Sequence, residues 1–266
     1  MRVGFVGPGA MGEPMVERLL GAGHEVRVYA RRPEVAQRLG GAGATTVGAL
    51  TDVAVDADAV AVCVFSDGQV REVALEGGLL PAMAPGSTLV IHTTGSPATA
   101  ERLAAEGAPR SVRVVDAPVS GSAQQIRDGA ITLLVGGDDD AVAAVRPALE
   151  SYGDPIFHLG PLGAGQKLKL VNNALLAAHV GVVADAVRLG HELGVDPSTL
   201  AGVVRHCSGR SFAVEMLAGS GAMDELLDRV GTFLRKDLAV VEEVAGDLGV
   251  DLGVLGRLAH DGLYPS

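Results

Sequence analysis

The chain reads as an α/β protein: a doubly wound sheet in its N-terminal part, then a long helix that opens an all-helical C-terminal part. Three observations carry this reading. Short β-branched runs alternate with helical stretches up to about Gly160. A glycine-rich turn closes the first of those runs, and strand signals stop from about Gly163 onward.

Taken in order, the runs RVGFVG, EVRVYA, AVAVCVF, TLVIHT, VRVVDA, ITLLVGG and PIFHLG read as strands with the βαβ rhythm of one doubly wound sheet. Between them, PEVAQRL opens on Pro33 and SPATAERLAAEG on Pro97, each a first-turn proline whose missing N–H costs a helix nothing there. Ser96 is the expected N-cap of the second, and DDDAVAAVRPALESYG forms a third helix. The stretch GAGQKLKLVNNALLAAHVGVVADAVRLGHELG runs as one helix of about thirty residues, longer than globular helices usually are, and bridges the two parts. DPSTLAGVVRHC starts afresh with Asp196 as N-cap and Pro197 as first helical residue, and TFLRKDLAVVEEVAGDLG supplies a further amphipathic helix. The expected domains are therefore residues 1–162 and 163–266.

Composition excludes several function classes. With 266 residues, 48% hydrophobic and 20% charged, the chain buries a sizeable core. A net charge of −11 argues against nucleic-acid and anionic-membrane partners, while leaving room for a local basic pocket that holds an anionic ligand. Tryptophan is absent and aromatics are 3%, so base-stacking platforms are not expected either. Cys63 and Cys207 lie far apart with no metal-ligand spacing, which suits structural thiols in a reducing cytoplasm. No signal peptide and no run of ~18 uninterrupted apolar residues is read. The histidines, among them His92, His158, His179, His191 and His206, are scattered without ligand spacing, so neither a metal site nor a catalytic triad is expected.

The first run ends in Gly7, Gly9 and Gly12, a G-x-G-x-x-G that also takes in Ala10 and Met11. Between a strand and a helix, such glycines allow a tight turn, approach to a pyrophosphate and close helix–strand packing, with the phosphates received by the helix N-terminus. The second strand indicates which dinucleotide. Where an NAD enzyme commonly carries an acid for the adenosine ribose hydroxyls, this chain has Ala30 followed by Arg31 and Arg32, a pair that favours a 2′-phosphate. The alternative for the two arginines is a solvated surface pair.

Lys169 and Asn173 lie four apart on the long helix, so both side chains face one way, while Lys167 points elsewhere. A lysine so placed can give a proton to a carbonyl oxygen as hydride reaches the carbon, and take it back in the oxidative direction. The turn Ser120–Gly121–Ser122 follows a strand, and its N–H and hydroxyl groups suit a small anion nest or an ordinary turn. Val64, Phe65, Thr93 and Thr94 stand at strand ends, where doubly wound folds bind ligands, and each also suits sheet core.

FVGPGAMGEPM, DAPVSGS and GAGQKLKLVNN, together with TLLVGGD and the late KDL, resemble the β-hydroxyacid dehydrogenase family over nearly the whole chain. Pro8, where the family usually has leucine, is a departure. The resemblance implies a Rossmann domain, a long interdomain helix, a helical C-terminal domain and assembly as a homodimer or tetramer. It implies Lys169 as the catalytic lysine with Asn173 as its partner, and Ser120, Gly121 and Ser122 at the substrate carboxylate. It also places Val64, Phe65, Thr93 and Thr94 along the cofactor, and Lys236 near both cofactor and substrate; paired with Asp237, Lys236 is otherwise a helix-face charge. The expected activity is NADP(H)-dependent interconversion of a small β-hydroxy acid and its semialdehyde or keto acid. Lys169 tells against an imine reductase of the same fold, which usually carries Asp or Tyr there, and a non-catalytic dinucleotide-binding module would have no need of it.

Overall fold

The computed structural model describes residues 1–264. By internal contacts the chain divides into two compact units, Met1–Lys169 and the remainder from Leu170.

The first unit alternates strand and helix: β1 (Arg2–Val6), α1 (Gly12–Gly21), β2 (Glu25–Tyr29), α2 (Pro33–Gly41), β3 (Thr45–Thr46), β4 (Ala59–Val62), α3 (Asp67–Arg71), α4 (Leu79–Ala82), β5 (Thr88–Ile91), α5 (Pro97–Gly107) and β6 (Arg113–Asp116). These six strands form one parallel sheet in the order β3-β2-β1-β4-β5-β6. The order reverses direction between β1 and β4. In such sheets ligands bind outside the carboxyl ends of the strands at that switch point, and the glycine-rich turn leaves β1 there.

Both faces of the sheet are covered, which explains why the strands read as continuous apolar runs. Phe5, Met15, Leu19, Val28 and Leu39 pack on one face, and Val60, Val62, Leu79, Leu89 and Leu103 on the other. Pro33 and Pro97 occupy the first turns of α2 and α5, and Ser96 caps α5 through a hydrogen bond from the Ala98 N–H.

The last two expected strands depart from the single-sheet reading. After β6 come β7 (Val119–Ser120), α6 (Ala123–Arg127), β8 (Ile131–Val135), α7 (Asp139–Leu149) and β9 (Gly153–His158). They form a separate sheet, β7-β8-β9, with β7 antiparallel to β8. The cause is local: the chain reverses just after Asp116, which bridges to Gly136, so β8 pairs with β7 and not with β6.

A buried pair ties this small sheet's side of the core to the end of β5. His92 Nδ1 lies 2.7 Å from the Ala117 carbonyl and must donate to it, leaving Nε2 to accept from the Tyr152 hydroxyl at 2.9 Å. Burial pushes the imidazole down to about 4, so it stays neutral in the folded protein. Tyr152→Phe strands Nε2 as a buried acceptor. It is expected to lower stability toward urea by about 1–3 kcal/mol while leaving cofactor affinity unchanged. Because the folded pKa of His92 lies below its ordinary value, its contribution to stability is present above about 6.5 and is lost as pH falls toward about 4.

From there α8 (Ala164–Glu192) runs as a single 29-residue helix, followed by α9 (Pro197–Val204), α10 (Phe212–Ser220), α11 (Met223–Leu248) and α12 (Gly253–Leu263). Asp196 caps α9 through the Thr199 N–H, with Pro197 in its first turn. The helical unit's core gathers Val180, Val183, Leu217, Leu226, Leu234, Leu238 and Leu263. By length and composition α8 is apolar enough to cross a membrane, but Gln166, Lys169 and Asn173 are buried along it, as in the core helix of a globular protein.

Candidate active site

The glycine turn sorts its three glycines by task. Gly7 has φ +86°, and a side chain there would strike the Cys63 carbonyl, so it makes the turn and lets β4 come close. Gly12 faces the Gly7 carbonyl and the Phe5 ring, so it seats α1 against β1. A Cβ on Gly9 would meet only open space. That open cradle lies directly before α1, whose first turn has no side-chain cap, leaving main-chain N–H groups to meet an anion. The residues therefore fit a dinucleotide pyrophosphate.

Charge around the turn follows the same logic. Glu13, the acid next to the turn, is held in a two-pronged pair by Arg38 at 2.8 and 3.0 Å, and its carboxyl is lowered by that hydrogen bond. Ala30 directly follows β2, half-buried, and the exposed Arg31 and Arg32 come next; Arg32 stands 4.0 Å from Glu34.

The ends of β4 and β5 are tied together. Thr93 Oγ1 accepts from the Val64 N–H and donates to the Val64 carbonyl, both at 3.0 Å. Phe65 lies exposed beyond them, its N–H donating to Gln69 Oε1, and Thr94 is half-buried. Asp67 holds the next segment by accepting from the Ser96 N–H, the Thr99 hydroxyl and Arg71.

The turn after β7 differs in part from a nest of three residues. Ser122 caps α6 in a capping box: its Oγ accepts from the Gln125 N–H, and its own N–H donates to Gln125 Oε1 at 2.9 Å. Its N–H is thus already used. Ser120 and Gly121, the latter at φ +140°, are what the turn presents to an anion.

Along α8, Lys169 is 9% exposed, and Asn173, one turn further on, is 4% exposed. Lys167 is exposed, consistent with its different direction from the helix. Within the helical unit, Asn173 Nδ2 donates to Asp237 Oδ2 at 2.5 Å, and Lys236 Nζ lies 2.6 Å from Asp237 Oδ1. Asn172 donates to Asn173 Oδ1 at 3.0 Å. The amide of Asn173 is therefore oriented at both ends, which leaves its second N–H as a directed donor.

Two family profiles cover this chain. Residues 2–160 match the NAD-binding domain of 6-phosphogluconate dehydrogenase, and residues 163–260 match the NAD-binding region of NADP-dependent 3-hydroxyisobutyrate dehydrogenase. The chain belongs to the β-hydroxyacid dehydrogenase family. It is 34% identical to the NAD-dependent L-serine dehydrogenase of Pseudomonas aeruginosa, over 92% of this chain and 85% of that one. To human mitochondrial 3-hydroxyisobutyrate dehydrogenase it is 32% identical, over 97% of this chain and 79% of that one. The solved structure of Mycobacterium tuberculosis 3-hydroxyisobutyrate dehydrogenase with L-serine superposes with a TM-score of 0.86 at 26% identity, covering 98% of this chain and 91% of that one. The family is one of NAD(P)-dependent hydroxyacid dehydrogenases, so the protein is an oxidoreductase with a Rossmann-like first unit.

Three residues of this β-hydroxyacid dehydrogenase escape a reading of motifs. Asp237 was legible only as a charge partner for Lys236, although it also holds Asn173. Asp116 and Gln166 sit inside quoted motifs as ordinary polar residues, and both are buried. A polar side chain in an otherwise apolar strand end was the available signal for Asp116. Two cavities, of about 610 and 510 Å³, lie elsewhere: the larger touches Gly86 and Arg113, at the amino ends of β5 and β6, opposite the strand ends described above.

Proposed function

We propose that the protein is an NADP(H)-dependent dehydrogenase that interconverts a small β-hydroxy acid and its semialdehyde or keto acid, with Lys169 as general acid and base. The observation that carries this reading is the buried Lys169, one turn before the buried Asn173, on a helix that leaves the same unit as the glycine cradle. When bound, the nicotinamide cofactor supplies or accepts the hydride at the oxygen-bearing carbon.

The chain's own residues do the rest. In reduction Lys169 gives its proton to the carbonyl oxygen, and in oxidation it takes the proton from the hydroxyl. Asn173, oriented by Asp237 and Asn172, directs its remaining N–H at that oxygen. Ser120 and Gly121 receive the substrate carboxylate, and the turn after β1 receives the cofactor phosphates with the Gly9 cradle left open for them. Val64, Phe65, Thr93 and Thr94 line the cofactor, and Arg31 and Arg32 select its 2′-phosphate. Lys236 adds positive charge for cofactor and substrate. The two relatives whose names mention serine make that β-hydroxy acid one to test.

NADPH oxidation should be followed with glyoxylate, succinic semialdehyde, methylmalonate semialdehyde and a cyclic imine, and L-serine should be tested in the oxidative direction. For the best semialdehyde, kcat/KM for the acid should exceed that for its uncharged amide by roughly 100-fold, since a held anion both binds and aligns. Equal values for acid and amide would remove the carboxylate role of the turn, and turnover of the imine alone would overturn the reading.

A further inference from the structure

We propose that Asp116 and Gln166 form a latch that positions Lys169, a role distinct from touching substrate; the inference rests on the proton-transfer reading of Lys169. Asp116 ends β6 at 0% exposure, yet it pairs with main-chain groups from far along the sequence. Its Oδ1 accepts from the Gly163 N–H at 2.6 Å and its Oδ2 from the Gln166 N–H at 2.7 Å. These are donors at the start of α8 that no earlier helical carbonyl can satisfy. A strand end thus supplies the cap that a residue just before the helix would normally provide. Gly165 allows the approach, because a side chain there would strike Asp116 and the Leu134 carbonyl.

Gln166, at 1% exposure, makes the second half of the latch. Its Oε1 accepts from the Gly95 N–H at 2.9 Å, and its Nε2 donates to the Thr93 carbonyl at 2.8 Å. Thr93 is in turn locked to Val64. The ends of β4, β5 and β6 therefore converge on the first turn of α8, and Lys169 stands three residues beyond Gln166 on that helix. Burial of a carboxylate is costly, and the Asp116 carboxyl is pushed up to about 6 by it even though backbone N–H groups favour the charged form. Fold stability alone does not call for a charge there. A carboxylate accepting from several main-chain donors does fix the first turn of the helix, three residues before the lysine.

Asp116→Asn replaces one acceptor by a donor facing a donor. It should lower kcat with a semialdehyde acid about 10- to 100-fold, as expected for a misplacement of the order of an ångström. KM and the NADPH dissociation constant should stay within about threefold. Gln166→Met, similar in length but without the hydrogen bonds, should show the same pattern and serves if Asp116→Asn folds poorly. The deciding measurement places each change in a Lys169→Met background, where residual turnover should fall by less than about twofold, because a residue acting through the lysine has nothing left to position. Additive losses in that background, or a lowered melting temperature with kcat intact, overturn the latch and leave the role of Lys169 standing. Full turnover by Lys169→Met alone overturns the proton-transfer reading and the latch with it.

Discussion

Lys169→Met is expected to lower turnover with a semialdehyde acid by roughly 100- to 10,000-fold, the usual contribution of a positioned acid or base, while NADPH binding stays nearly intact. Methionine keeps the length and apolar bulk of the side chain, which matters at a site 9% exposed, and removes only the ammonium. The loss should appear in kcat as well as in kcat/KM, because the proton moves only in the reacting complex. The pH dependence of the chemical step should flatten in the variant. Lys167→Met is the matched control: its side chain is exposed, and turnover should change by less than about twofold, as for a solvated surface charge. Similar behaviour of the two variants, measured by single turnover so that product release does not mask chemistry, would exclude Lys169 as the proton donor.

The residues that make this test possible were legible for different reasons. Strands buried on both faces leave continuous β-branched runs, and Pro33, Pro97, Ser96 and Asp196 carry helix-start chemistry that needs no tertiary information. Lys169 and Asn173 could be aligned on one helix face by their spacing alone. The second sheet was not legible, because ITLLVGG has the same composition whether its neighbour is β6 or the short β7, and the choice depends on a chain reversal at Asp116. β3 and β7 are two residues each, too short for any periodicity. Asp116, Gln166 and Asp237 were hidden because their meaning lies in partners 64 to 73 residues away, or 47 to 50 for Asp116. For Ser122 a local rule was available: serine followed three residues later by glutamine is a capping box, and the box uses the N–H that an anion nest would have needed.

Replacing both Arg31 and Arg32 by alanine is expected to raise the dissociation constant for NADPH by about 10- to 1000-fold and to leave that for NADH within about threefold, so that the preference for the phosphorylated cofactor disappears. The range is wide for a physical reason. A charged hydrogen bond contributes about 1.5–3 kcal/mol when its surroundings exclude water and much less when solvent screens it, and both arginines are exposed. Their neighbours favour an effect well above the surface value. Arg38, the next arginine along, is already committed to Glu13, and that pairing takes the carboxylate beside the glycine turn out of competition with a phosphate. Arg32 stands at the longer distance of 4.0 Å from Glu34. Ala30, directly after β2, offers no carboxylate to the ribose hydroxyls, so affinity for NADH has no corresponding anchor to lose. The converse change, Ala30→Asp, should strengthen NADH binding and weaken NADPH binding through repulsion of the 2′-phosphate. Titration of cofactor binding at two salt concentrations separates the contributions, because a phosphate held by guanidinium groups weakens with salt far more than a ribose held by hydrogen bonds. Equal affinity of the unaltered protein for NADH and NADPH would overturn the assignment of the arginine pair, and would align this chain with the NAD-dependent serine dehydrogenase it resembles.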